Sequence, residues 1–249
     1  MTCRVLFNNL IARDIYRLAF SCADIARSAS PGQFVHVKVN DTSHILRRPF
    51  SVSDVIGDVV YIVYQIRGAG TRALSQLKPG DEIDVIGPLG RGFDVDKVKD
   101  KALVVGGGLG IAPMVYLAKT LGEKARIFLG YKNQLFLLDE FNSPIVSIES
   151  GEYDYKGLIT ELVEGYLKQC EFTPDIIYAC GPVGMLKSIR ALSQRYRIPC
   201  EISLEERMGC GIGACLVCSC KITSGESWHY KRVCADGPVF TADEVIFDD

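Results

Sequence analysis

The sequence predicts a six-stranded antiparallel β barrel, then a doubly wound parallel α/β sheet, then a small cysteine-rich segment at the C-terminus. Three observations lead there. Short apolar runs separated by tight-turn residues fill residues 1–97. Between residues 98 and 206 the rhythm changes to an apolar run followed by helical periodicity, repeated several times. From residue 207 to 249 neither pattern continues, and five of the chain's ten cysteines crowd together.

The barrel strands are expected at Arg4–Leu10, Asp14–Cys22, Gln33–Val39, Pro49–Val55, Val59–Ile66 and Glu82–Ile86, with one short helical piece at Thr71–Leu77. Ser30-Pro31-Gly32, Ile56-Gly57-Asp58 and Lys78-Pro79-Gly80-Asp81 supply the turns, because Pro presets φ and Gly accepts a positive φ. The polar stretch Asp94–Lys101 marks the end of the barrel. Beyond it, strands at Ala102–Val105, Ala125–Leu129, Pro144–Ile148, Asp175–Ala179 and Cys200–Leu204 alternate with crossover helices. The helices are expected at Ile111–Leu121, Leu137–Phe141, Leu158–Leu167 and Val183–Tyr196, where apolar residues recur at three- and four-residue steps. Arg207–Lys221 has no such stripe, so a bound metal centre is expected to supply the folding energy that a core would otherwise give.

Composition narrows the function. A hydrophobic share of 48% and a charged share of 23% suit a globular chain with a real core, and a net charge of −2 argues against nucleic acid as a partner. No stretch approaches the ~18 uninterrupted apolar residues of a membrane span, and Met1-Thr2-Cys3-Arg4 does not begin a signal peptide, so a cytoplasmic location is expected.

Thiols in a reducing compartment serve metal or redox chemistry more often than disulfides. Cys3, Cys22, Cys170, Cys180 and Cys200 are scattered and read as small core side chains. Cys210, Cys215, Cys218, Cys220 and Cys234 fall within 25 residues. The spacing is Cys210-x4-Cys215-x2-Cys218 and then, after fifteen intervening residues, Cys234; its first part matches the plant-type pattern for a [2Fe-2S] cluster. Three thiolates would come from one loop, which Gly209, Gly211 and Gly213 let wrap closely, and the fourth from a separate segment. A structural zinc site is the alternative, but it usually presents paired knuckles, and Cys234 stands alone. Cys220 reads as a packed thiol rather than a ligand.

Val104–Pro113 contains a strand, a glycine turn and a helix start in that order. Gly106, Gly107, Gly108 and Gly110 would bring backbone N–H groups and a helix N-terminus to a pyrophosphate. The same glycines would also serve tight packing alone. Cys180-Gly181-Pro182, at the end of a later strand, favours the nucleotide reading by offering a second loop over the nicotinamide half. Tyr131-Lys132-Asn133 contains no arginine cluster for a 2′-phosphate, which leans to NADH, and Lys132 reads as a solvated charge.

Arg47-Arg48-Pro49-Phe50-Ser51-Val52 sits on a barrel strand, with Gly68-Ala69-Gly70-Thr71 one strand later. Arg48 and Ser51 suit a phosphate, and the ring of Phe50 suits a flat ligand. With a barrel, this motif and a glycine-rich sheet together, the chain resembles the ferredoxin–NADP reductase superfamily. Within it, Ser203–Cys215 (SLEERMGCGIGAC) and Val233–Phe240 (VCADGPVF) resemble the electron-transfer subunits of class 1B dihydroorotate dehydrogenases. Phe50 departs from the superfamily, which shows a tyrosine there.

That resemblance implies FAD held by Arg48, Pro49, Phe50 and Ser51, by Val63, Tyr64 and Gln65, and by Gly70 and Thr71. It implies Cys210, Cys215, Cys218 and Cys234 as ligands of a [2Fe-2S] cluster. It further implies an oxidoreductase subunit of pyrimidine biosynthesis, relaying electrons from the FMN of a dihydroorotate-oxidising catalytic subunit through the cluster and FAD to NAD⁺. A heterotetramer with two copies of each subunit is expected. No catalytic acid or base is expected, and His36, His44 and His229 read as structural or surface residues. Trp228, His229 and Tyr230 are the expected partner interface, or else a shield around the cluster. Two other readings stay open: a related subunit serving a hydrogenase or a ferredoxin:nucleotide oxidoreductase, and a zinc-stapled binding module without redox function.

Overall fold

Alternating apolar residues bounded by turn formers give strands whose one face must be covered, and closing the sheet on itself covers it. The computed structural model describes residues 1–39, 45–169, 172–225 and 227–247. Among these, the first part of the chain forms β1 (Thr2–Ala12), β2 (Ile15–Ser21), α1 (Ala23–Ser28), β3 (Phe34–Val37), β4 (Arg48–Ile56), β5 (Val59–Gln65), α2 (Ala69–Leu74) and β6 (Glu82–Leu89). The six strands close into an antiparallel barrel in the order β1-β2-β5-β4-β3-β6, with β6 returning to β1. Val5, Leu18, Phe20, Val35, Val37, Val52, Ile62 and Val85 fill its interior. Helix α1 was not expected; it is short and is held by burial of Ile25 and Ala26 rather than by its own propensity.

The second part supplies β7 (Ala102–Gly107), α3 (Ile111–Leu121), β8 (Ala125–Tyr131), β9 (Ile145–Ile148), α4 (Ile159–Gln169), β10 (Ile176–Cys180), α5 (Val183–Tyr196) and β11 (Cys200–Ser203). Strands β9-β8-β7-β10-β11 are parallel. Buried throughout, β7 and β10 read as near-continuous apolar runs. Along β7, Ala102 and Val104 pack with α3, while Leu103 and Val105 pack with α4 and α5. The helix expected at Leu137–Phe141 is instead a single 3₁₀ turn over Leu138–Glu140, preceded by Leu137 at φ 57°. Five residues with apolar spacing are too few to repay helix nucleation.

The last part forms β12 (Ser219–Ser224), β13 (Ser227–Arg232), β14 (Val239–Thr241) and β15 (Val245–Ile246). β13-β12-β15 make a small sheet, whereas β14 pairs antiparallel with β11 at the edge of the large one. The C-terminal segment is thus laced into the second sheet. Cys3, Cys22, Cys180 and Cys200 are buried as expected; Cys170 and His44 lie outside the described residues.

Helix α3 also rests on β4, where the Ser53 hydroxyl donates to the Ala112 carbonyl at 2.9 Å. Beside it, Lys119 bridges Asp54 at 2.7 Å and Glu140 at 2.5 Å, and Arg17 pairs with the same Glu140. Because Asp54 is 2% exposed, Lys119→Met leaves a buried carboxylate without its cation. The expected loss is about 2 kcal/mol, below the roughly 3–5 kcal/mol for stranding a fully buried charge because Lys119 itself is part-exposed. Burial opposes ionisation of Glu140, yet its bonds from Lys119 and Arg17 outweigh it and hold the carboxyl below its ordinary 4.5. That contribution is present above pH 4.5 and lost as pH falls through the depressed value. Melting curves across pH should therefore show the gap between wild type and variant narrowing on acidification.

Candidate functional site

Two clefts open where the barrel meets the parallel sheet. The smaller, about 390 Å³, is lined by Arg48, Pro49, Phe50 and Ser51 of β4, by Val63, Tyr64 and Gln65 of β5, and by Thr71 of α2. These are the residues expected at the flavin, with one exception. Gly70 stands behind the wall, where an added Cβ would meet the Arg48 guanidinium at 2.9 Å; its role is to let the arginine lie flat over the α2 start. Phe50 and Tyr64 pack as a tilted pair with ring centroids 5.5 Å apart, and the Tyr64 hydroxyl donates to Asn8 at 3.0 Å.

The larger cleft, about 1020 Å³, lies over the C-terminal ends of β7, β8 and β9. Its lining includes Gly107, Gly108 and Pro182, together with Lys132, Asn133, Glu149 and Arg13. Gly106, Gly110, Cys180 and Gly181, expected to touch the nucleotide, do not line it. They form the packed layer beneath: a Cβ on Gly110 would stand 2.6 Å from the Gly181 nitrogen and closer still to the Cys180 carbonyl oxygen. Burial pushes the Cys180 thiol far above its usual range, so it is no nucleophile.

Sequence reasoning passed over Ser147, whose hydroxyl is buried in the wall of the larger cleft without a hydrogen-bond partner among the described residues. Such a group is a ready contact for a ligand hydroxyl or amide. It also gave no site role to Arg67, to Leu109, or to the stretch Ser203–Glu206, which lines the smaller cleft. A serine inside an apolar strand carries no signal of this kind by itself. Gln65, Arg67 and Leu109 line both clefts, so ligands in the two would meet there.

On its far side the smaller cleft is walled by Met208 and Pro238, which flank the cysteine loop. The four expected cysteines come together there. Cys210 Sγ accepts from the amides of Ile212 (3.5 Å), Ala214 (3.2 Å) and Cys215 (3.4 Å), and the Cys210 amide donates to Cys215 Sγ at 3.3 Å. Gly213 N–H reaches Cys234 Sγ at 3.1 Å, and Cys234 N–H reaches Cys218 Sγ at 3.4 Å. The amide of Ile212 foremost, then those of Cys215 and Ala214, lowers the Cys210 thiol to about 6. Burial raises that of Cys234 to about 12. Among the described residues no three donors are grouped around a single-ion position; the sulfurs are chained through backbone amides. Sulfurs ringed by N–H donors suit the negative charge of an iron–sulfide group. Arg232 holds the loop to the second segment, donating to Gly213 O at 3.0 Å and to Asp236. Cys220 is buried on β12 with its thiol pushed up to about 11, in keeping with a packed residue.

Comparison with known proteins agrees with this arrangement. Residues 2–93 match the oxidoreductase FAD-binding domain, and residues 205–246 match the iron-sulfur cluster binding domain of dihydroorotate dehydrogenase B. The dihydroorotate dehydrogenase B (NAD(+)) electron transfer subunit of Caldanaerobacter subterraneus subsp. tengcongensis is 44% identical over 99% of this chain and 98% of its own. That of Fusobacterium nucleatum subsp. nucleatum is 41% identical over 98% and 97%. Among solved structures, a chain of an NADH-dependent reduced ferredoxin-NADP oxidoreductase superposes with a TM-score of 0.83 at 30% identity, covering 98% of this chain and 89% of its own. Phthalate dioxygenase reductase shares the fold at 18% identity, with a TM-score of 0.62 over 91% and 87% of the two chains. The protein is an oxidoreductase chain for FAD and an iron–sulfur cluster, and it belongs to the family of dihydroorotate dehydrogenase B (NAD(+)) electron transfer subunits.

Proposed function

We infer that this chain carries electrons between NAD(H) in the larger cleft and a partner subunit, with FAD in the smaller cleft and a [2Fe-2S] cluster on Cys210, Cys215, Cys218 and Cys234. The observation that supports this best is the order of the three sites. The larger cleft shares Gln65, Arg67 and Leu109 with the smaller, and the smaller is also lined by Met208 and Pro238, which flank the cysteine loop. When bound, flavin supplies the exchange between single electrons and hydride that a cluster and a nicotinamide each lack.

The chain's own residues then position and shield. Arg48 offers a guanidinium fork and Ser51 a hydroxyl to flavin phosphate, while Phe50 covers the ring system. Gly107 and Gly108 admit a pyrophosphate to the start of α3. No side chain is needed as an acid or base. The functional division follows residues 1–97 for FAD, 98–206 for NAD and 207–249 for the cluster, although β14 joins the last two in one sheet.

The partner in this reading is an FMN-containing subunit that oxidises dihydroorotate, in a cytoplasmic complex with two copies of each chain. Trp228, His229 and Tyr230 of β13 are exposed and form its proposed face. Among the described residues no helix is long and apolar enough to cross a membrane. A ferredoxin-linked partner is the second reading, favoured by the TM-score of 0.83 to an NADH-dependent ferredoxin-NADP oxidoreductase.

Anaerobic titration with NADH, followed in the visible, tests the route. Both flavin and cluster bands should bleach, and dihydroorotate added to the co-purified complex should bleach them equally. Bands that stay oxidised under NADH overturn the nucleotide assignment. Bleaching by NADH and reduced ferredoxin but not by dihydroorotate selects the second reading.

A further inference from the structure

His36 sits on β3 with its ring turned out of the barrel. Val35 and Val37 on either side pack in the barrel interior, while Phe34, on the ring's own face of the strand, packs with the C-terminal segment. The imidazole is fully excluded from solvent, and neither ring nitrogen completes a hydrogen bond among the described residues. Each such unmet group costs about 1–3 kcal/mol, so a fully buried histidine here calls for a partner that the loaded protein supplies.

What lies against the ring is the cysteine loop. A Cβ added to Gly211 would stand 2.9 Å from His36 Cε1 and would collide with Nδ1, so Gly211, at φ +73°, passes with its backbone directly on the imidazole. The backbone of Cys210 is beside the ring as well. On the other side, β3 pairs with β4, His36 lying opposite Pro49 of the flavin-site strand. One side chain therefore spans from the strand under the smaller cleft to the first cysteine of the loop. An imidazole ring has an N–H to give in either of its neutral tautomers.

We propose that His36 is a positioning residue for the cluster: its ring N–H, presented from the flavin-bearing strand pair, bonds the Cys210–Gly211 backbone when the loop closes on iron, and so sets how readily the cluster accepts an electron. This rests on the reading of the loop as a [2Fe-2S] site. A donor that polarises the peptide next to a ligating sulfur stabilises the reduced, more negative state, and its loss lowers the potential.

The test uses the complete complex with His36→Phe, which keeps a flat ring but no donor, and His36→Gln, which keeps an N–H. FAD content is read from absorbance, and the cluster from an EPR-monitored redox titration. In His36→Phe we expect full FAD, an altered EPR signal and a reduction equilibrium about tenfold weaker, 59 mV for a one-electron couple. His36→Gln should recover most of that shift. A His36→Phe protein with the wild-type potential and g-values overturns the proposal, as does a His36→Gln protein shifted as far as His36→Phe. Should His36→Phe not accumulate, His36→Leu against His36→Gln carries the same comparison with the same overturning outcomes. A wild-type complex without any [2Fe-2S] signal would instead sink the cluster reading itself, which the same spectra distinguish.

Discussion

Cys218→Ser should yield a protein that keeps its FAD, loses its cluster and no longer passes electrons beyond the flavin. Cys218 is 2% exposed and packs with Ile222, Val233 and Cys234, so it joins the loop to the segment carrying the fourth sulfur. The turn before it, residues 209–215, contains no helix or strand and is held by amide–sulfur contacts and Arg232. Without the metal group those contacts are weak, and serine binds iron poorly. Loss of an outer-shell partner alone costs about 10–100-fold in affinity, and loss of a ligand should exceed that. Iron content and the EPR signal should fall below about a tenth of wild type, and dihydroorotate-to-NAD⁺ transfer by at least about 100-fold. NADH should still bleach the flavin, which is the internal control. A Cys218→Ser protein with full iron would mean that Cys220, two positions along, has taken over, against its placement as a packed thiol.

Gly110→Val should have the opposite signature, with the cluster intact and the nucleotide lost. Any side chain at 110 strikes the backbone of Cys180 and Gly181 rather than the tip of a flexible residue, so the strand-to-helix turn cannot relax by a rotamer change. Overpacking of this kind costs about 1–3 kcal/mol, and the backbone nature of the clash places it at the upper end. Displacing α3 from the β10–α5 loop moves Gly107, Gly108 and Pro182, three walls of the larger cleft. NADH affinity should weaken by about 10–100-fold by the usual conversion of 1.4–2.8 kcal/mol, with the melting point down by about 4–10 °C. Titration of flavin bleaching and a thermal melt measure both. Gly165 of α4, where an added Cβ meets nothing, is the control: Gly165→Ala should stabilise by about 0.5–1 kcal/mol.

The parts of this fold legible in the sequence are those decided locally. Pro and Gly at fixed positions bracket the barrel strands, the stripe of α5 matches Val183–Tyr196 to the residue, and the cysteine spacing depends on a single loop. What escaped is decided by partners far along the chain. Helix α1 exists because Ile25 and Ala26 meet the barrel, and β14 is three residues long and is a strand only because β11 lies beside it. Leu137–Phe141 failed in the other direction, since apolar spacing without length does not make a helix. At the site, the four sulfurs and the β4 motif were readable from residue type. Ser147, Arg67 and His36 were not, because a lone serine, arginine or histidine gains meaning only from what surrounds it.

The pairing of β14 with β11 ties the C-terminal segment to colloidal behaviour. β14 caps what would otherwise be the open edge of the buried parallel strand β11, and it follows five residues after Cys234. Open strand edges recruit other chains. A chain cut short before β14 would therefore present that margin to its neighbours, so the C-terminal segment guards solubility as well as carrying sulfur.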